Sequence, residues 1–231
     1  MSDEIPGEFR PAALVPAFRC AATVGDVVTG IRRALNTVLV VDDGSADGTA
    51  EAARAAGARV VVRPANGGKG SALRDGLAVL LAGDATHVAF VDADGQHDPA
   101  DLPALLAAAR AGADFVIGSR LKDVASMPAK NYWANTIGDK VLARMTGLPV
   151  EDGQSGYRVI AARLLRGVHL RAERYSIENE ILIKAAPRVA RFASVPVRTI
   201  YGARSHYRPF RDTWVTSWLS VWYKTLDSEA S

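Results

Sequence analysis

The stretch Thr37-Val38-Leu39-Val40-Val41-Asp42-Asp43-Gly44-Ser45-Ala46-Asp47-Gly48 sets the reading of the whole chain. Its first half is a short apolar run rich in β-branched residues, the pattern of a strand buried on both faces. The run stops on two carboxylates and a Gly/Ser/Asp turn cluster, with Asp47 placed to cap the next helix. From Asp47 to Ala56 the residues are good helix formers, Gly57 ends them, and a second Val-rich run spans Arg59 to Arg63. Strand, polar turn, helix, strand is one βαβ unit, which implies parallel pairing.

The same alternation extends outward in both directions. Ala12 to Pro16, His87 to Asp92 and Phe115 to Ser119 read as further strands, and Thr23 to Leu35, Ser71 to Ala82 and Asp101 to Ala111 as helices with apolar spacing near 3.6. Pro99 near a helix start, with Gly57 and Gly112 after helix ends, follows the Pro-first, Gly-last asymmetry. The fold class is therefore α/β, a Rossmann-like, mostly parallel central sheet flanked by helices. After Arg120 the pattern changes to a loop at Met127-Pro128, a helix near Thr136 to Thr146 and a Gly/Asp-rich turn. A strand from Ser155 to Ile160, a helix from Ser176 to Ala186, a strand from Ala193 to Tyr201 and a helix from Phe210 to Leu226 complete the chain. Nothing reads as a linker or repeat, so residues 1–231 are expected to form a single domain. Residues 1–11 are expected to be a flexible N-terminus and 209–226 a C-terminal amphipathic helix.

With 231 residues, 48% hydrophobic and 23% charged, the chain has the balance of an ordinary globular protein. The single cysteine, Cys20, forms no internal disulfide and no Cys/His zinc site, so an oxidising compartment is not required. No segment reads as a signal or transit peptide, and the apolar runs are too short to span a bilayer, so a cytoplasmic setting is expected. Net charge is only +3, yet residues 163–211 hold eleven Lys/Arg against three Glu. An anionic partner is expected there. Nucleic acid is not, because zinc-finger spacing and aromatic-interleaved basic runs are both missing.

Ligands of open α/β sheets bind beyond the carboxyl ends of the strands, and four of the first five strands end there in polar residues. These are Asp42-Asp43, Asn66 with Gly67-Gly68-Lys69-Gly70, Asp92-Ala93-Asp94, and Ser119-Arg120. The glycine loop is not a P-loop, since Arg63 stands where the first Gly belongs and Gly70 where Ser or Thr belongs. No Gly-x-Gly-x-x-Gly follows the first strand, which argues against a dinucleotide site. Asp92 and Asp94, two apart in a stretch read as extended, would share a side with Gln96. Hard oxygen ligands without His or Cys suit Mg²⁺ or Mn²⁺ completed by substrate phosphates; the alternative is a solvated acidic turn.

Taken in order, Leu14-Val15-Pro16-Ala17, Val40 to Thr49, Asn66 to Gly70 and Asp92-Ala93-Asp94-Gly95-Gln96-His97 resemble the inverting family 2 glycosyltransferases of the GT-A fold. Gly118-Ser119-Arg120, Asp152-Gly153-Gln154-Ser155-Gly156-Tyr157-Arg158 and Tyr201-Gly202-Ala203-Arg204-Ser205-His206 are similar, more narrowly, to the polyprenyl-phosphate (dolichol-phosphate) mannosyl- and glucosyltransferases. The resemblance runs from about Ala12 to Asp212 and implies a C-terminal extension on the acceptor side. It implies that Pro16, Ala17 and Asp43 hold the nucleotide of a GDP- or UDP-linked sugar, with Lys69 near the base or phosphates. Asp92, Asp94 and Gln96 would carry the metal, and Arg120, Ser155 and Arg204 would meet the acceptor phosphate. Phe18-Arg19-Cys20 stands where the family usually has Tyr-Asn-Glu, which leaves the base unassigned.

The implied reaction moves a hexose from a nucleotide diphosphate sugar to a polyprenyl phosphate, at the membrane face. Asp94, Arg120, Asp152 and Arg204 are the candidate catalytic residues. A phosphate nucleophile needs orientation rather than a strong base; a hydroxyl acceptor would need one, and Asp152 is then either that base or a residue that orients its loop. A catalytically silent GT-A binding module is the reading from another class. His206 and Arg208 share parity with Arg204 and could add to a phosphate grip, or form a solvated basic loop. His97 is read as organising its loop. Glu178 and Glu180 precede an apolar helix segment, where the helix dipole favours acids, and contact with substrate is the second reading. Trp214, Trp218 and Trp222 recur every fourth residue, a stripe covered by the core, by a second subunit of a homo-oligomer or by the bilayer interface.

Overall fold

The structure, a computed structural model, describes residues 8–120, 129–172 and 176–200, without the side chains of 129–135 and 137. In chain order the elements are β1 (Pro11–Ala17), α1 (Val24–Arg32), β2 (Val38–Asp42), α2 (Thr49–Ala55), β3 (Arg59–Val62), α3 (Lys69–Leu81) and β4 (His87–Phe90). A 3₁₀ turn (Pro99–Asp101) leads into α4 (Leu102–Arg110), then β5 (Phe115–Ser119), α5 (Ala129–Thr146), β6 (Arg158–Ala161), α6 (Ala162–Leu165), α7 (Ile177–Ala185) and β7 (Phe192–Pro196). The described strands form one sheet in the order β3-β2-β1-β4-β6-β5-β7. Every pairing is parallel except those of β6, which runs against both β4 and β5.

Alternation along the central strands sends successive side chains to opposite faces. Leu14, Leu39 and Val41 join Leu73 and Leu77 of α3 and Ile177 and Ile181 of α7 on one face. Ala13, Val15 and Val40 join Val28 and Ile31 of α1 and Leu102 and Leu105 of α4 on the other. Central strands are thus covered twice, which is why they read as continuous apolar runs. Gly57 and Gly112 take φ +89° and +97° just past α2 and α4, the left-handed geometry that stops a helix there.

Several expected boundaries move. Residues 8–11 are not a loose tail: Pro11 opens β1, the Arg10 backbone N–H donates to Thr86 Oγ1 at 2.9 Å, and the Phe9 ring lies against His87. Asp47 sits one residue before the α2 cap, which is Gly48, yet its Oδ1 accepts the Thr49 backbone N–H at 3.2 Å and the Thr49 hydroxyl at 2.6 Å. The strand expected from Ser155 begins only at Arg158, because Ser155 N–H is drawn into a turn onto the Asp152 carbonyl. The last strand ends at Pro196; beyond it Asp101 captures the backbone N–H and side chain of Arg198, and Thr199 bridges to His97. The 210–226 helix and its tryptophans lie outside the described residues. Among the described residues no helix is long and apolar enough to cross a membrane.

Candidate active site

The carboxyl ends of β1, β2, β4 and β5 bring the polar loops to one edge of the sheet. Because β6 is antiparallel, its approach, residues 152–157, enters that same edge from the opposite direction.

The centre is an ion cluster. Lys69, at the first turn of α3, places Nζ 2.5 Å from Asp92 Oδ1 and 2.5 Å from Glu178 Oε1. Burial works against the ammonium, but Asp92 and Glu178 outweigh it and raise its pKa. Burial likewise pushes Asp92 up, and Lys69 more than reverses this, so Asp92 stays ionised. Asp94 moves the other way: burial and then the Asp92 charge raise its carboxyl, and the Gln96 N–H and the Lys69 charge offset this only in part. Gly156 lies against the cluster, where a Cβ would collide with the Asp92 carboxylate.

Asp92, Asp94 and Gln96 are not aligned by an extended strand. Extended backbone ends at Phe90, and a turn at 93–95, with Gly95 at φ +75°, folds Asp94 Oδ1 back onto the Gln96 backbone N–H at 3.0 Å. Asp92 and Asp94 remain electrostatic neighbours, whereas the described contacts of Gln96 are through its backbone. His97 is buried and held neutral, its pKa lowered to about 4 by burial; Asp92, Arg120, Lys69 and Asp152 all act on it, so it marks where the two halves of the site meet.

On the side expected to hold the nucleotide, Pro16 and Ala17 end β1, and the Ala17 carbonyl accepts Asp43 N–H at 2.8 Å. The carboxylate of Asp43 is spent on the glycine loop, accepting from Gly67 N–H (3.0 Å), Gly68 N–H (2.7 Å) and Arg63. Its neighbour Asp42, named in the sequence only as a strand end, takes Ser45 N–H on Oδ1 and leaves Oδ2 buried without a partner among the described residues. Arg19, at φ +53°, holds its guanidinium over the Phe18 ring.

On the other side Arg120 is clamped. Asp152 accepts from its backbone N–H (2.9 Å), Nε (2.7 Å) and Nη2 (2.6 Å). Burial would raise the Asp152 carboxyl, but Arg120 holds it below the ordinary range. Asp152 is fully buried, while Arg120 is partly exposed. Ser155, expected to meet a phosphate, is instead fully buried, its Oγ accepting Tyr157 N–H at 3.3 Å. Arg158 is also fully buried, and its guanidinium ties the carbonyls of Gly153, Ser155 and Glu178 together. Glu180 locks the backbone of Arg171 and Ala172, pairs with Lys184, and among the described residues reaches none of the expected site residues. Arg204, His206 and Arg208 lie outside the described residues.

The profile of Glycosyl transferase family 2 matches residues 12–166, which takes in the loops at the ends of β1, β2, β4 and β5 and the 152–157 approach to β6. The chain belongs to this family. This family 2 glycosyltransferase is 33% identical over 206 residues to the glycosyltransferase AglJ of Haloferax volcanii, covering 86% of this chain and 67% of AglJ. It is 31% identical to the undecaprenyl-phosphate mannosyltransferase of Micrococcus luteus, over 81% of this chain and 82% of that one. Among solved structures, the Mycobacterium tuberculosis glucosyl-3-phosphoglycerate synthase in complex with Mn²⁺, UDP-glucose and phosphoglyceric acid superposes with a TM-score of 0.68 at 26% identity, covering 93% of this chain and 78% of that one. The GT-A fold expected from the sequence is thus the fold of this glycosyltransferase.

Proposed function

We propose that this glycosyltransferase moves a hexosyl group from a nucleotide diphosphate sugar to a polyprenyl phosphate, working at the cytoplasmic face of a membrane. The observation that carries the reading is the clamped pair: a guanidinium held in place by a buried carboxylate, beside the Lys69–Asp92–Glu178 cluster, fixes a positive charge that would face an acceptor phosphate. Relatives that act on polyprenyl and dolichyl phosphates support the acceptor class. The acceptor phosphate is itself the nucleophile, so the chain's own residues need only orient it and exclude water.

Asp92 and Asp94 would hold a divalent cation. The fit is chemical: both are hard oxygen donors, electrostatic neighbours at the end of β4. Such an ion supplies positive charge to a leaving diphosphate. The M. tuberculosis synthase, in complex with Mn²⁺ and UDP-glucose, supports that choice. Pro16, Ala17 and the unpaired oxygen of Asp42 would border the nucleoside, and Lys69 the phosphates. Asp152, with three N–H donors already on its carboxylate, serves to position Arg120 rather than to act as a base.

Transfer from GDP- and UDP-hexoses to a short-chain polyprenyl phosphate, with and without EDTA, tests the assignment. Asp92→Asn and Asp94→Asn should each cut turnover by about two to three orders of magnitude while the melting temperature holds. Activity indifferent to EDTA and to both substitutions would refute the metal role.

A further inference from the structure

Asp139, on α5, has no part in the binding and catalytic roles assigned to its neighbours, and its carboxylate is wholly engaged with one peptide segment. Oδ2 accepts the Asp152 backbone N–H at 2.9 Å and Oδ1 the Gly153 N–H at 2.8 Å, both in buried surroundings. That segment needs holding, because Asp152 stands at φ +57°, left-handed for a residue with a side chain. A Cβ on Gly153 would run into Leu142 and Val150, so the backbone is pressed against α5 and the turn after it. From this fixed backbone the Asp152 carboxylate makes its three bonds to Arg120. Without Asp139, two buried N–H donors lose their acceptor.

We propose that Asp139 is a positioning residue for Arg120: it fixes the 152–153 backbone, and Asp152 in turn aims the guanidinium at the acceptor phosphate. The inference deepens the proposed polyprenyl-phosphate transfer and rests on it for the identity of the acceptor. The charged groups acting on Asp139 are Asp152, Arg120 and Arg158. Burial pushes its carboxyl up, the Gly153 and Asp152 N–H groups pull it down, the Asp152 charge pushes it up again, and the balance stands at about 6. As pH falls through that value the anion that accepts two N–H bonds is neutralised, and the hold on Arg120 slackens.

The test is steady-state kinetics with geranylgeranyl phosphate as acceptor, comparing wild type, Asp139→Ala, Asp139→Asn and Arg120→Ala. Asp139→Ala should raise the acceptor KM about tenfold, the loss of a charge-assisted hydrogen bond, and leave the donor KM nearly unchanged. Asp139→Asn keeps one acceptor oxygen and cannot gain a proton, so it should restore part of the affinity. It should also lose the steeper wild-type rise in KM between about pH 7 and 5.5; the acceptor's own titration is common to both enzymes. A second readout is the Arg120 Nε–H resonance, assigned by its loss in Arg120→Lys, whose exchange with solvent should quicken in Asp139→Ala. Unchanged acceptor KM with unchanged exchange overturns the proposal. So does a lowered melting temperature with donor and acceptor KM moving together, or Asp139→Asn tracking the wild-type pH profile. If Arg120→Ala leaves the acceptor KM untouched, the acceptor reading fails, and the exchange rate alone then decides the role of Asp139.

Discussion

Gly156 lies so close to the Asp92 carboxylate and the Lys69 ammonium that a methyl group has no room. The obstructed atoms are side-chain ends rather than backbone, so Gly156→Ala should fold, with a melting temperature within a few degrees of wild type, and lose most of its turnover as the ion cluster is displaced. Folding failure would instead assign the glycine to the core. Asp152→Asn probes the opposite side. It removes the anion that clamps Arg120 while leaving a neutral oxygen, so acceptor KM should rise and donor binding should persist; a loss of several orders of magnitude in kcat, with both KM values kept, would return Asp152 to the role of base. Asp92, Asp94, Lys69 and Arg120 were legible because strand ends gather at one edge. Substrate contact was only the second reading of Glu178, Asp42 was named only as a strand end beside Asp43, and Asp139 had no reading, because their partners lie far along the chain or in the backbone, where residue spacing carries no signal. Ser155 Oγ is taken up by its own turn, and a hydroxyl in a Gly-rich turn looks the same in sequence whether it faces a ligand or the turn's own N–H.

At the level of elements, β7 is fastened to β5 by a carboxylate at the opposite end of the sheet. Asp114 accepts the backbone N–H groups of Ala190 (2.8 Å) and Arg191 (3.0 Å) and pairs with Arg163 at 2.5 Å. Burial raises its carboxyl, but the two N–H donors and Arg163 prevail, so its folded pKa lies below the ordinary value. A lowered carboxyl stabilises the fold above the unfolded pKa of about 3.9 and loses that contribution as pH falls through the folded one. Asp114→Asn should therefore melt lower than wild type at neutral pH, with the gap closing as pH falls below about 4; a gap independent of pH would mean that packing, not charge, holds the edge. The strands and helices up to β5 were legible because each has one period and clear punctuation. The direction of β6 was not, since alternation is the same read forwards or backwards, and nothing local to residues 155–161 records which strands flank it.

Across the whole molecule, the groups proposed for donor and acceptor come from the two halves of the chain, and His97 feels charges from both. A ligand that binds only the folded protein stabilises it by mass action, so a GDP- or UDP-sugar at about a hundredfold its Kd should raise the melting temperature by roughly 5–10 °C. The nucleotide giving the larger shift identifies the donor base, and no shift with either would exclude both. The place of β6 has one more consequence, for assembly on the ribosome. β4 and β5 do not touch each other across the sheet; each pairs with β6, which is synthesised about forty residues after β5 ends. A nascent chain that has emerged as far as Ser119 can zip β1 to β4 into a four-stranded half, but β5 must wait unpaired until β6 slots into the gap and β7 closes the edge. Strands held open in this way are the ones exposed to mispairing with other chains. Pulse-labelled hydrogen exchange during refolding should accordingly find the amides of β1 and β2 protected first, with those of β5, β6 and β7 gaining protection together in a later, single step.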